Sequence, residues 1–364
     1  MSRRVFIAAT MQNDGKTTVS MGLIFNFREH FKNLGFIKPI GQRYVVEGGQ
    51  KVDEDSVLIE DVCGIESGIK DMSPIAVERG FTERYILNPD KESIDRQIKE
   101  SFGRIAQDKE FVVIEGTGHA GVGSVFDHSN ASVAKLLDAQ VILVSSGGVG
   151  KPIDEIMLNK ALFEKEGVSL LGVIINKVKP DKYDKVKPLV QEGLKRLGVN
   201  VLGVMPYQKM LSYPTMRQIL EESDFKIFSG GECMDTYIAK IVVGAMEPHD
   251  ALNFISANSL LITPGDREDL IMTAIGLHIS KANVCPTQIA GIILTGGFLP
   301  HPEVLEVMKS THIPVFVTEL DTYTTASLIH DLTVKIRPQD TDKIDAVKKM
   351  VKEYVAIDEI LKMV

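Results

Sequence analysis

Gly15-Lys16-Thr17 lies in a polar stretch, residues 10–18, between the apolar run Val5-Phe6-Ile7-Ala8-Ala9 and an amphipathic segment. A buried strand followed by a glycine turn and a helix is the context of a phosphate-binding loop. The first turn of the helix offers unpaired N–H groups and partial positive charge, and a glycine lets the backbone curl round an oxyanion. In that setting Lys16 reaches the terminal phosphates and Thr17 holds Mg²⁺, while Thr10, Asn13, Asp14, Gly15 and Thr18 line the ligand. Thr10 stands where the pattern G-x-x-x-x-G-K-[ST] has its first glycine. The plainer alternative is a glycine turn followed by a surface lysine.

Further polar residues fall where apolar runs end. Lys38 ends residues 36–38 ahead of Pro39, and Glu115 closes residues 111–115, followed by Gly116 and Gly118. A carboxylate there binds Mg²⁺ directly or through water, and the glycines allow the backbone close to phosphate. Asp55 ends the acidic row Asp53-Glu54-Asp55 and reads equally as a metal ligand or as an acid at a helix start. Asn176, after residues 172–175, either hydrogen-bonds an adenine edge or starts a turn.

The second half repeats the theme in Gly265-Asp266-Arg267, in Thr295-Gly296-Gly297 and in residues 318–325. In a parallel sheet these gather on one edge, where helix N-termini and N–H groups offer a place to a small anionic ligand. Ordinary turn chemistry is the alternative.

The elements that position these residues are apolar runs alternating with helical patterns: an α/β chain with a parallel sheet covered on both faces. The alternation lapses from about residue 211 to 228, which reads as a linker, and a shorter α/β series follows. Expected boundaries are 1–210, a linker 211–228, a second domain 229–338 and a C-terminal helix 339–364. In the last, Val347, Met350, Val351, Tyr354 and Val355 have helical spacing.

Of 364 residues, 44% are hydrophobic and 25% charged, which suits two folded cores and excludes disorder. A net charge of -8 argues against duplex DNA and acidic membranes as partners. Cys63, Cys233 and Cys285 are far apart and indicate neither a disulfide framework nor a zinc site. The apolar run after Met1-Ser2-Arg3-Arg4 ends at Thr10, too short for export or spanning, so a cytoplasmic location is expected.

These motifs together carry a resemblance. Residues 10–17, Phe36-Ile37-Lys38-Pro39, Asp55, Val113-Ile114-Glu115-Gly116-Thr117-Gly118, Ile175-Asn176-Lys177 and Gly203-Val204-Met205-Pro206 resemble the dethiobiotin synthetase-like branch of the P-loop superfamily. That branch includes the cobyrinic acid a,c-diamide synthases and the N-terminal half of long phosphotransacetylases. The resemblance implies ATP and Mg²⁺ as cofactors, and Lys16 and Lys38 as catalytic groups on phosphate or an acyl phosphate. It also implies Thr17, Asp55 and Glu115 around the metal, Asn176 and Pro206 at the base, and a homodimer. Asn13 and Gln42 depart from dethiobiotin synthetase, whereas Lys38-Pro39-Ile40-Gly41-Gln42 is closer to the phosphotransacetylase version. Met11 departs from the partition ATPases, which have a lysine there.

Residues 229–338 resemble the DRTGG domain, regarded as regulatory in phosphotransacetylases, through Gly265-Asp266-Arg267 and Thr295-Gly296-Gly297. The resemblance stops short of the acyltransferase domain. The implied function is a slow ATPase or nucleotide sensor with a ligand-sensing second domain. The alternative is an ATP-dependent ligase that phosphorylates a carboxylate or carbamate.

Overall fold

The computed structural model describes residues 2–65, 67–281 and 289–364, so Met1 and Cys285 lie outside the described residues. Two units make up the chain, residues 1–207 with 336–364, and residues 208–335.

The first unit is built on strands β1 (Arg3–Ala9), β2 (Leu34–Ile37), β3 (Ile40–Gly41), β4 (Tyr44–Glu47), β5 (Gln50–Asp53), β6 (Ile75–Ala76), β7 (Phe111–Glu115), β8 (Gln140–Ser146), β9 (Leu170–Val178) and β10 (Val201–Pro206). Six of them form a parallel sheet in the order β10-β9-β8-β1-β7-β2. Val5 to Ala9, Val112 to Ile114 and Val141 to Val144 are fully buried, as strands covered on both faces must be. The order reverses beside β1, the switch point where such sheets bind ligands at their carboxyl ends. Helix α1 (Lys16–Phe27) leaves β1 there, and α2 (Glu54–Cys63) begins next to the end of β5.

Residues 44–53 form a hairpin with little to betray it but Gly48-Gly49, both at positive φ. Its first strand is exposed throughout, so no buried face gave those residues an apolar alternation.

The C-terminal segment belongs to the first unit as two helices, Thr341–Tyr354 and Ile357–Met363, where one was expected. Val347, Met350 and Val351 are buried, the lysine Lys343 is fully covered, and Ala356 N donates to Leu202 O at 2.8 Å. Asn26 Nδ2 of α1 donates to Lys348 O at 3.3 Å, and Gly22 of α1 faces Val351.

The second unit holds β11 (Lys226–Ser229), β12 (Lys240–Val243), β13 (Ser259–Pro264), β14 (Ile289–Thr295) and β15 (Val315–Val317) in the order β11-β15-β14-β13-β12, with β11 antiparallel. Residues 211–228 are therefore not a linker. They carry the helix Met216–Glu221, closed by a Thr215–Gln218 capping box, and the start of β11. Met216 and Ile219 are buried under the sheet with Leu260 and Ile262. One turn and a half of helix is too short for a periodic signal, which explains the misreading. Among the described residues, no helix is long and apolar enough to cross a membrane.

A Cβ at Gly22 would sit 2.3 Å from Val351 Cγ2. Gly22→Ala is expected to destabilise by roughly 1–3 kcal/mol through overpacking, despite the ~1 kcal/mol helix-propensity gain. Val351→Ala in the same chain should recover only part of that loss, because Val351 Cβ would itself lie 2.7 Å from the new methyl group. Additive effects of the two substitutions in a thermal-unfolding cycle would contradict this packing.

Candidate nucleotide site

The loop after β1 is held in shape by its own side chains. Asp14, 5% exposed, accepts from Thr10 Oγ1 at 2.7 Å, from Met11 N at 2.8 Å and from Ser146 Oγ on β8. Thr10, in the first-glycine position, is buried, and with its proton given to Asp14 its Oγ1 accepts from Ser145 Oγ at 3.0 Å. Its hydroxyl braces the loop against β8, which a glycine could not do. Asn13 and Gly15 both take positive φ. A Cβ on Gly15 would fall 2.3 Å from Asn176 Nδ2, so the close approach needs glycine.

Asn176, expected at an adenine edge, lies beneath the loop. Its Nδ2 donates to Asp14 O at 2.9 Å and its Oδ1 accepts from Lys177 N at 2.8 Å. Sequence reasoning missed Lys177, whose Nζ donates to Asn13 O at 2.5 Å and whose backbone is left-handed at φ 57°. Pro206 ends β10 and is half-buried.

Lys16, the first residue of α1, is half-buried. Its ammonium makes no hydrogen bond or ion pair with any described residue. Burial holds its pKa below the ordinary lysine value, while Glu115 pulls it up and Lys38 pushes it down. Thr17 Oγ1 donates to Glu115 Oε1 at 2.9 Å, and Thr18 follows on the first turn of α1.

Lys38, at the end of β2, pairs with Asp53 Oδ1 at 2.8 Å, with Asp55 Oδ2 in close contact, and lies 3.8 Å from Glu115 Oε1. Burial acts against its charge, but Asp55, Asp53 and Glu115 outweigh it and raise the pKa. Burial conversely pushes the carboxyls of Glu115 and Asp53 up, against the pull of Lys38. The helix cap that Asp55 was weighed for belongs to Asp53, whose Oδ1 accepts from Asp55 N at 3.0 Å, leaving Asp55 to face the lysine. Asp53 is thus a site residue that the acidic row contained without distinguishing.

Gly116 and Gly118 have packing reasons of their own: a Cβ would lie 2.6 Å from Phe6 and Asn130 at the first and 2.7 Å from Val122 at the second. Among the described residues no three His, Cys, Asp or Glu side chains form a ready metal cage. Glu115 Oε2 and Asp53 Oδ2 are nevertheless buried without a hydrogen-bond partner, so the donor set fits an added hard cation.

In the second unit the expected anion donors are already satisfied by the chain. Gly296 N donates to Leu320 O at 2.8 Å and Gly297 N to Thr318 O at 2.9 Å. Asp321 caps Tyr323 N and Thr324 N. Thr295 Oγ1 meets Thr322 Oγ1 at 2.7 Å, and Arg267 is tied to Asp269 and to Met246 O. Gly265 passes so near Phe298 O that a Cβ would lie 1.8 Å from it, and Asp266 is exposed.

Residues 3–215, more than half of the chain, match the family described as AAA domain. The chain belongs to this AAA domain family. In it the AAA domain is followed by a DRTGG domain, matched over residues 218–332. The phosphate acetyltransferase of Nitrosomonas europaea is 24% identical over 367 residues, covering 98% of this chain and 51% of that protein. That of Synechocystis is 26% identical over 356 residues, 94% of this chain and 49% of that protein. The AAA–DRTGG chain therefore spans about half the length of these curated relatives. Among solved structures, the septum site-determining protein MinD of Pyrococcus horikoshii, complexed with Mg-ADP, aligns with a TM-score of 0.35. It is 16% identical over 58% of this chain and 84% of that one. The CBS and DRTGG domains of Clostridium perfringens pyrophosphatase, complexed with diadenosine tetraphosphate, align with a TM-score of 0.28. They are 26% identical over 38% of this chain and 60% of that one.

Asp14→Ala removes the acceptor of three hydrogen bonds and is expected to cost roughly 2–4 kcal/mol, with Asp14→Asn milder. Urea denaturation measures both, and an unchanged midpoint for the alanine variant would refute the bracing role.

Proposed function

We propose that the first unit binds ATP with a magnesium ion. The observation that carries this reading is the Lys16 ammonium, half-buried at the start of α1 and without a partner among the described residues. A buried charge left unpaired is costly, so such a group favours a site that receives an anion. The first-turn N–H groups of α1 add partial positive charge in the same place. Thr17, Asp55 and Glu115 would hold the metal, which when bound neutralises charge on the phosphate oxygens.

On this reading the chain is a slow ATPase or nucleotide sensor, with the DRTGG domain as the ligand-responsive half. The ligase alternative asks Lys38 to grip a substrate carboxylate or its acyl phosphate. Lys38 is instead engaged by Asp53 and Asp55, with Glu115 close by, which favours the sensor. ADP release measured with and without candidate carboxylates separates the two, because substrate-dependent turnover belongs to the ligase alone.

Lys16→Ala is expected to lower ATP affinity at least about 100-fold in calorimetric titration. Since the ammonium must be protonated to hold phosphate, wild-type affinity should fall as pH rises through a value below the ordinary lysine pKa of about 10.4. Proton uptake on binding should appear over that range. Equal affinity of variant and wild type would overturn the assignment.

A further inference from the structure

The Lys38 ammonium is the meeting point of carboxylates from two other elements: Asp53 and Asp55 at the start of α2, and Glu115 at the end of β7. Lys38 is 6% exposed, Asp53 1% and Glu115 not at all. From α1, Thr17 donates to Glu115 and Lys16 stands near enough to feel its charge. Three carboxyls surround one lysine, and Lys16 adds a second cation nearby. Two carboxyl oxygens, Glu115 Oε2 and Asp53 Oδ2, have no hydrogen-bond partner. The place occupied by Nζ, among Asp53 Oδ1, Asp55 Oδ2 and Glu115 Oε1, is also where a divalent ion would find the most oxygens. An ammonium and a hard dication cannot share it, since both need the same lone pairs and repel each other.

We infer that Lys38 is the resident counter-ion of these acids in the nucleotide-free protein and competes with divalent metal for them. Free metal is shut out until a phosphate draws the ammonium away. The identity of that displacing group rests on the ATP reading above. The competition itself rests on the ion-pair geometry alone.

The test titrates nucleotide-free protein with Mn²⁺, following the signal of the unbound ion by electron paramagnetic resonance. Wild type and Lys38→Arg, which keeps the charge, should bind Mn²⁺ weakly. Lys38→Met should bind one ion at least about tenfold more tightly, because one positive charge has left a buried acidic site. Adding Asp53→Asn to Lys38→Met should take most of the gain away. Equal Mn²⁺ affinity in wild type and Lys38→Met overturns the inference, as does a gain indifferent to Asp53.

Should Lys38→Met not fold, Lys38→Gln decides: nucleotide-free, it should bind Mn²⁺ at least about tenfold more tightly than wild type, and an equal affinity refutes the idea. If ATP fails to bind while Lys38→Met still captures Mn²⁺, the nucleotide reading falls and the counter-ion role stands. If ATP binds and wild type already takes Mn²⁺ freely, the reverse holds.

Discussion

The first unit is organised round a lysine that cannot reach water. Removing the Lys38 ammonium from solvent costs several kcal/mol, and the cost is offset only because carboxylates from two other elements converge on it. That requirement fixes the end of β2, the start of α2 and the end of β7 to one point. Neighbouring details follow from it. Gly41 has no side chain because a Cβ would lie 2.6 Å from Asp53, and the exposed hairpin 44–53 ends on the residue that both caps α2 and pairs with the lysine.

A second constraint lies beside it. The loop after β1 is preformed: Asp14 ties it to β8, and Asn176 and Lys177 support it from the end of β9. Its polar atoms are largely committed to holding shape, while the Lys16 ammonium is left unpaired among the described residues. Rigid surroundings with one uncommitted charge place the ordering cost in folding and not in binding.

Most of this was legible where a residue's chemistry and its strand-end position agree. Lys16, Thr17, Lys38, Asp55 and Glu115 come together from α1, β2, α2 and β7, as expected from a parallel sheet whose loops share one edge. What stayed hidden depended on partners distant in sequence. Nothing local distinguishes Asp53 from Asp55, and nothing near Asn176 in sequence foretells its bond to Asp14, which lies 162 residues away. The short capped helix at 216–221 and β11 were missed because neither is long enough for periodicity, and the hairpin because its first strand has no buried face. In the second unit the N–H groups of Gly296 and Gly297 bond the loop after β15, a pairing that nothing near them in sequence marks.

The chain leaves the first unit after Tyr207 and returns to it at Ile336, so the second unit is an insertion anchored at both ends. The last helices lie against α1 and β10 and complete the fold that the first 207 residues begin. Shortening the gene at residue 207 would therefore strip a flank of the nucleotide half and yield a fragment with bare apolar surface. Isolating that half calls for excising residues 208–335 and joining residue 207 to residue 336 through a linker.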